Sequence, residues 1–170
     1  MESVYLAIPL LPAAGALVAG LFGRQIGRVG AHSVTIGAVA ASFVLSLVAL
    51  KHIVLDGGPV YDEAVYTWMV SDGIRFEVGF LIDNLTVLMM TTVTAVSLAV
   101  HVFTIGYMHD DPGYQRFFAY IAAFTFFMLM LVMANNFLQL FFGWEAVGLV
   151  SYLLIGFWMN RESAIFANLK

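Results

Sequence analysis

Residues 137–159 read FLQLFFGWEAVGLVSYLLIGFWM, and Glu145 is the only charged residue among them. A helix needs about 20 apolar residues to cross the hydrocarbon core of a bilayer, so this run is long enough to span, with Glu145 near its middle. An ionisable group at that depth costs roughly 2.5–3.5 kcal/mol on insertion scales, and such groups are functional by default. A carboxyl in a low-dielectric site exchanges protons nearer neutral pH than one in water, which makes a proton relay the leading reading. The alternative is a structural acid, permanently protonated and hydrogen-bonded to a neighbouring helix. At helical spacing Gly148, Tyr152 and Gly156 share the face of Glu145. The glycines leave room for close approach or water, and Trp144 is expected to pack beside the carboxyl.

The rest of the chain agrees. Hydrophobic residues make up 62% and charged residues 11%, with a mean hydropathy of +0.93. A soluble domain carries about 25% charged residues, so this composition describes an integral membrane protein. Five apolar runs are long enough to span: 4–22, 33–55, 80–108, 117–134 and 137–159. Pro9 and Pro12 fall in the first, which membrane helices tolerate when neighbours satisfy the freed carbonyls. The start, Met1-Glu2-Ser3, lacks the basic segment of a signal peptide, so the first run is expected to remain as a helix. Cysteine is absent, which excludes disulfides, thiolate metal sites and cysteine-ligated clusters. The net charge of −4 does not point to nucleic acid. The histidines His32, His52, His101 and His109 show no ligand spacing on one helix, so no metal site is expected.

The longest connection, 56–79, combines Val60-Tyr61, Val65-Tyr66-Thr67-Trp68-Met69-Val70 and the turn signal Ser71-Asp72-Gly73, which reads as a β-hairpin at the surface. The expected fold is an all-α membrane bundle of five helices with a small external hairpin. It divides into two leading helices (1–55), the hairpin loop (56–79) and three further helices (80–170). With five spans, Arg24, Arg28, Arg116, Arg161 and Lys170 fall on one side, and Lys51 and Arg75 on the other. The positive-inside rule places the first group in the cytoplasm, with the N-terminus and hairpin outside.

His101 lies in the third run with Thr94, Ser97 and Thr104 on the same helical face. A histidine titrates near neutral pH, so this polar stripe reads as a water-supported proton path. The competing reading is that the hydroxyls bond carbonyls of their own helix and that the imidazole is merely hydrated. Asp83-Asn84 opens the third span, where an acid is favoured as a helix cap.

The stretch from Asn136 to Phe141 (NFLQLF), followed by Gly143–Leu149 (GWEAVGL) and Ser151–Trp158 (SYLLIGFW), resembles the fifth-helix signature of the L-subunit family of respiratory NADH–quinone oxidoreductase, complex I. Ile8-Pro9-Leu10-Leu11-Pro12 with Gly20-Leu21-Phe22-Gly23-Arg24 is similar to the first helix of that family. Asp83–Thr86, His101 and Gly106-Tyr107-Met108 resemble its third helix, and Tyr114 with Arg116-Phe117-Phe118-Ala119-Tyr120 its fourth. The resemblance implies a proton-pumping, antiporter-like subunit of the membrane arm, with other membrane-arm subunits as partners. Glu145 would be its essential proton carrier, and His101 would belong to the proton path. NADH, FMN, iron–sulfur clusters and quinone would sit in partner subunits, with no cofactor or dinucleotide-binding motif here. The location implied is a bacterial inner membrane.

Two departures are local: Phe103-Thr104 stands where Tyr-Ser is common, and Asn135 where aspartate is frequent. A third is length. The family has many more helices, arranged as two inverted five-helix repeats, with a lysine on a broken seventh helix. A fragment is therefore expected, with Lys170 matching a lysine where the sixth helix would begin. Three other readings stay open: the large subunit of a multisubunit sodium/proton antiporter, the equivalent subunit of a membrane-bound hydrogenase, and a non-transporting membrane scaffold.

Overall fold

The computed structural model describes residues 1–72 and 74–170. The chain starts with α1 (Glu2–Leu50), continued by a π-helical turn, Lys51–Leu55. A straight helix of that length would measure about 80 Å, far more than the ~30 Å hydrocarbon core. The backbone leaves helical geometry inside α1 at Gly27, with φ 71° and ψ −173°. Side chains are disfavoured in that region and glycine is not. The two arms on either side of Gly27 fold back on each other. Ser42 Oγ donates to the Ile8 carbonyl at 2.6 Å, and a Cβ at Gly15 would lie 3.1 Å from that of Ala38. The seam is built from small residues, among them Gly15, Ala19, Ala31, Thr35, Ser42, Ser46 and Ala49, all buried. Such residues let membrane helices approach closely.

The hairpin follows as β1 (Tyr61–Ser71) and β2 (Ile74–Ile82), antiparallel, with Tyr61 opposite Ile82 and Val70 opposite Arg75. Irregularities fall between Ala64 and Tyr66 and between Thr67 and Met69. In the expected Ser71-Asp72-Gly73 turn, Asp72 takes φ 47°, while Gly73 lies outside the described residues. β2 reaches further than the sequence suggested. Phe80–Ile82, read as the start of a third span, is strand, and Phe80 bridges Ala134. The helix starts only at α2 (Asn84–Tyr107), where Asp83 accepts from the Thr86 backbone N–H at 2.7 Å. That hydrogen bond holds the Asp83 carboxyl below the usual carboxylate range.

Next come α3 (Tyr114–Val132) and α4 (Phe137–Ile155). Asn136 caps α4 by accepting from Gln139 N–H at 2.8 Å. The helix stops at Ile155 rather than at residue 159, and a short α5 (Glu162–Leu169) follows.

Two clusters anchor the ends. Near the hairpin, Tyr5, Ile8, Ile82, Met90, Leu129 and Met133 are buried together, and the Tyr5 and Tyr61 rings lie 5.1 Å apart. Gln139 Oε1 accepts from Gly79 N–H at 2.9 Å, and Leu81 N–H donates to the Met133 carbonyl at 3.0 Å. At the opposite end Met108, Tyr114, Phe118, Ile121 and Phe157 pack together. There Arg28 donates to the carbonyls of His109 and Asp111. Among the described residues four helices are long and apolar enough to cross a membrane, α1 with its π-helical turn counting as one. The protein is mostly helical and integral to a membrane.

Candidate functional site

α4 buries Gln139, Gly143 and Val150 on one stripe. Gly143 lies against α3, where a Cβ would meet the Leu131 Cα at 3.0 Å. Glu145 is two residues further on, so its side chain leaves the opposite side of the helix. Glu145, Gly148 and Tyr152 do share a face, and that face is exposed, as are the neighbouring Phe141, Phe142 and Leu149. Within this chain both Glu145 and Trp144 are exposed, Trp144 to 68%. The physical reason is that α4 touches only α3, β2 and α5 among the described residues. Its other side is an apolar surface with a single carboxylate in the middle. Lys170 is exposed at the end of α5. Among the described residues neither Glu145 nor Lys170 enters an ion pair.

His101 is different, with no exposed surface at all. Its Nδ1 lies 2.8 Å from the Ser97 carbonyl and 3.3 Å from Ser97 Oγ. A carbonyl only accepts, so Nδ1 carries a hydrogen, which leaves Nε2 as the nitrogen with a lone pair when the ring is neutral. That Nε2 is buried without a partner among the described residues. Ser97 Oγ also lies 2.5 Å from Thr125 Oγ1 on α3, which ties the two helices together. The Phe118 ring is edge-on to His101 at 6.1 Å, and on another side it meets His32 at the same separation. His32 Nδ1 is 3.0 Å from Tyr114 Oη.

The predicted stripe is thus real, but its members differ. Thr94 and Thr104 donate to the carbonyls of Met90 and Val100 in their own helix, each at 2.7 Å. Ser97 alone of the three connects His101 to another helix. Sequence reasoning missed Thr125 and His32, because nothing along the chain marks a contact across helices. It also passed over Asn136 and Gln139, although Asn136-x-x-Gln139 has the spacing of a helix-capping pair.

Ionisable and polar groups inside long apolar helices mark a polytopic membrane protein. Comparison with known proteins narrows the class. The family described as NADH-Ubiquinone oxidoreductase (complex I), chain 5 N-terminus, matches residues 68–118. The family described as NADH:quinone oxidoreductase/Mrp antiporter, TM, matches residues 134–170. The chain is 62% identical to the NADH-quinone oxidoreductase subunit L of Neisseria meningitidis serogroup B over 99% of its own length and 25% of the relative's. It is 47% identical to the NADH-ubiquinone oxidoreductase chain 5 of Cryptococcus neoformans over 98% of its length, and equally so to that of Arabidopsis thaliana, again covering 25% of each relative. The chain belongs to this subunit L/chain 5 family of complex I. It spans about a quarter of the length of the curated relatives it matches.

Proposed function

We propose that the chain is part of a proton-translocating membrane subunit that couples NADH oxidation by quinone to proton transfer across the membrane. One observation supports this reading above the others. Glu145 is a lone carboxylate half-way along an apolar helix, on a face that nothing among the described residues covers. A carboxylate turned to lipid would be costly, so a further group of helices belongs there. Covered in that way, Glu145 serves as the proton carrier. Approach of a cation favours its ionised form and releases the proton, and withdrawal of the cation favours uptake. The His101–Ser97–Thr125 network supplies a second proton-accepting position, and Lys170 is assigned the cationic boundary position. The redox groups lie in partner subunits, and the membrane-arm subunits are the neighbours.

The same reading gives five crossings, because the α1 arms pack antiparallel around Gly27 as two helices. The end carrying Arg24, Arg28, Arg116, Arg161 and Lys170 lies in the cytoplasm of a bacterial cell, with the N-terminus and hairpin outside. The antiporter wording of the second family description favours one alternative, a sodium/proton antiporter subunit. The subunit L relatives at 62% identity weigh toward complex I. The test is Glu145→Gln in the protein in its native membrane. NADH-driven proton uptake into vesicles should be lost while the complex stays assembled. Uptake at the wild-type level would defeat the carrier role.

A further inference from the structure

A groove of about 760 Å³ runs between α1 and α3 at the basic end of the bundle, lined by Gly20, Gly23, Arg24, Gln115, Arg116 and Tyr120, among others. Its two cations are Arg24 and Arg116. Among the described residues neither Arg24 nor Arg116 enters an ion pair. Arg28 at the same end is tied to the carbonyls of His109 and Asp111, and Arg161, on the Trp158 ring at 4.5 Å, does not line the groove. Arg116 has its guanidinium 4.7 Å from the Phe157 ring centroid, an arrangement that fixes the side chain while its N–H edge stays available.

Both arginines sit where the spans meet water. Arg24 closes the first apolar run, and Arg116 is in the first turn of α3. Below Arg24, at helical spacing on the same outward stripe, are Leu21 and Leu17, 73% and 62% exposed. The groove is therefore basic at its mouth, with the apolar stripe of Leu17 and Leu21 beside it on α1. That profile fits a phosphate with acyl chains attached. A free phosphate would have no use for the leucine stripe, and the choline of a zwitterionic headgroup would meet two uncompensated guanidiniums. We infer that the α1–α3 groove binds the headgroup of an anionic phospholipid, with Arg24 and Arg116 as its phosphate ligands and Leu17 and Leu21 flanking its chains. Basic pockets between membrane helices are suited to such headgroups. The inference does not depend on the proton-carrier reading of Glu145.

The test uses the protein purified from its native membrane and exchanged into mixed phosphatidylglycerol–phosphatidylcholine vesicles, with retained lipid counted by native mass spectrometry. Wild type should keep phosphatidylglycerol in preference to phosphatidylcholine. The pair Arg24→Gln and Arg116→Gln should weaken that retention roughly tenfold to thirtyfold, the scale of two surface charges. Arg24→Lys with Arg116→Lys should preserve a good part of it, and Arg161→Gln should change nothing. Should the double glutamine variant fail to fold, the two single variants decide, each losing part of the preference. Undiminished retention in the variants, equal retention of phosphatidylcholine, or displacement of the lipid by added glycerol phosphate would each overturn the site as a lipid site.

Discussion

Ser42 Oγ donates to the carbonyl of Ile8, the carbonyl that Pro12 leaves without its helical partner. Proline has no N–H to return to residue i−4, and in a membrane water cannot fill the gap. One arm of α1 therefore repairs the break in the other, and the same hydrogen bond holds the arms together. Ser42→Ala should destabilise the protein by about 1 kcal/mol, the usual scale for a hydrogen bond between membrane helices. In a Pro12→Ala background the Ile8 carbonyl regains an N–H, so the Ser42→Ala cost should shrink. A double-mutant cycle of unfolding in detergent measures this coupling. Additive effects would show that Ser42 does not serve the proline.

The break at Gly27 gives a second prediction. Its φ of 71° with ψ −173° suits glycine and strains any side chain, although a Cβ there would meet nothing within 4 Å. Gly27→Ala should thus cost roughly 1–3 kcal/mol through backbone strain alone. Gly37 also has open space around it, but it sits inside regular helix. Gly37→Ala should be neutral or slightly stabilising in the same unfolding measurement, since alanine is the better helix former.

Much of this architecture was readable from the sequence, for physical reasons. A long apolar run states its own environment, and β-branched and aromatic residues such as Val65, Tyr66 and Trp68 mark a strand. The failures have causes of the same kind. Phe80-Leu81-Ile82 is as apolar as a span, and a short apolar segment does not distinguish strand from helix. What ends the strand is Asp83, whose cap on Thr86 N–H fixes the start of α2. Between the two leading spans one glycine, Gly27, suffices to reverse the helix, and no apolar pattern marks such a position.

Asp83 also gives a pH prediction. Its native carboxyl is held below the ordinary value, first by the hydrogen bond from Thr86 N–H. A depressed carboxylate contributes stability in full above its unfolded pKa and loses it as pH falls through the folded value. The contribution should be constant from neutral pH down to about 5, decline from about 4, and be gone only below the lowered folded value. Asp83→Asn keeps a capping oxygen but cannot titrate, so the wild-type advantage over it should vanish in acid. Asp83→Ala removes the cap as well and should cost about 0.5–2 kcal/mol at neutral pH. Chemical denaturation of the three proteins across this range is the check. A difference between wild type and Asp83→Asn that persists in acid would count against the titrating cap.

The candidate site was legible residue by residue but not as a constellation. Glu145 and His101 stand out because ionisable groups are rare in apolar runs. Which neighbours they meet depends on helix rotation, and nothing in a single helix reports that. The exposed face of Glu145 and the contact from Ser97 to Thr125 both required the packed bundle.

The His101 network yields the last prediction, which separates Ser97 from Thr94. Thr94 gives its hydrogen to Met90 in its own helix, so its hydroxyl is already spent and Thr94→Ala should pump protons much like wild type. Ser97 bridges His101 and Thr125 across two helices. Removing its hydroxyl breaks the only side-chain link between the imidazole and α3 among the described hydrogen bonds, so Ser97→Ala should slow pumping visibly. Water can take over part of a relay when space allows, so the loss should be partial. His101→Ala removes the proton-accepting Nε2 itself and should fall further, whereas Thr125 gives its hydrogen to the Ile121 carbonyl and only accepts from Ser97, so Thr125→Val should be milder than Ser97→Ala. The measurement is proton uptake by native membrane vesicles, normalised to assembled complex. If Ser97→Ala and Thr94→Ala behave alike, the polar stripe on α2 is structural, and the cross-helix network does not carry protons.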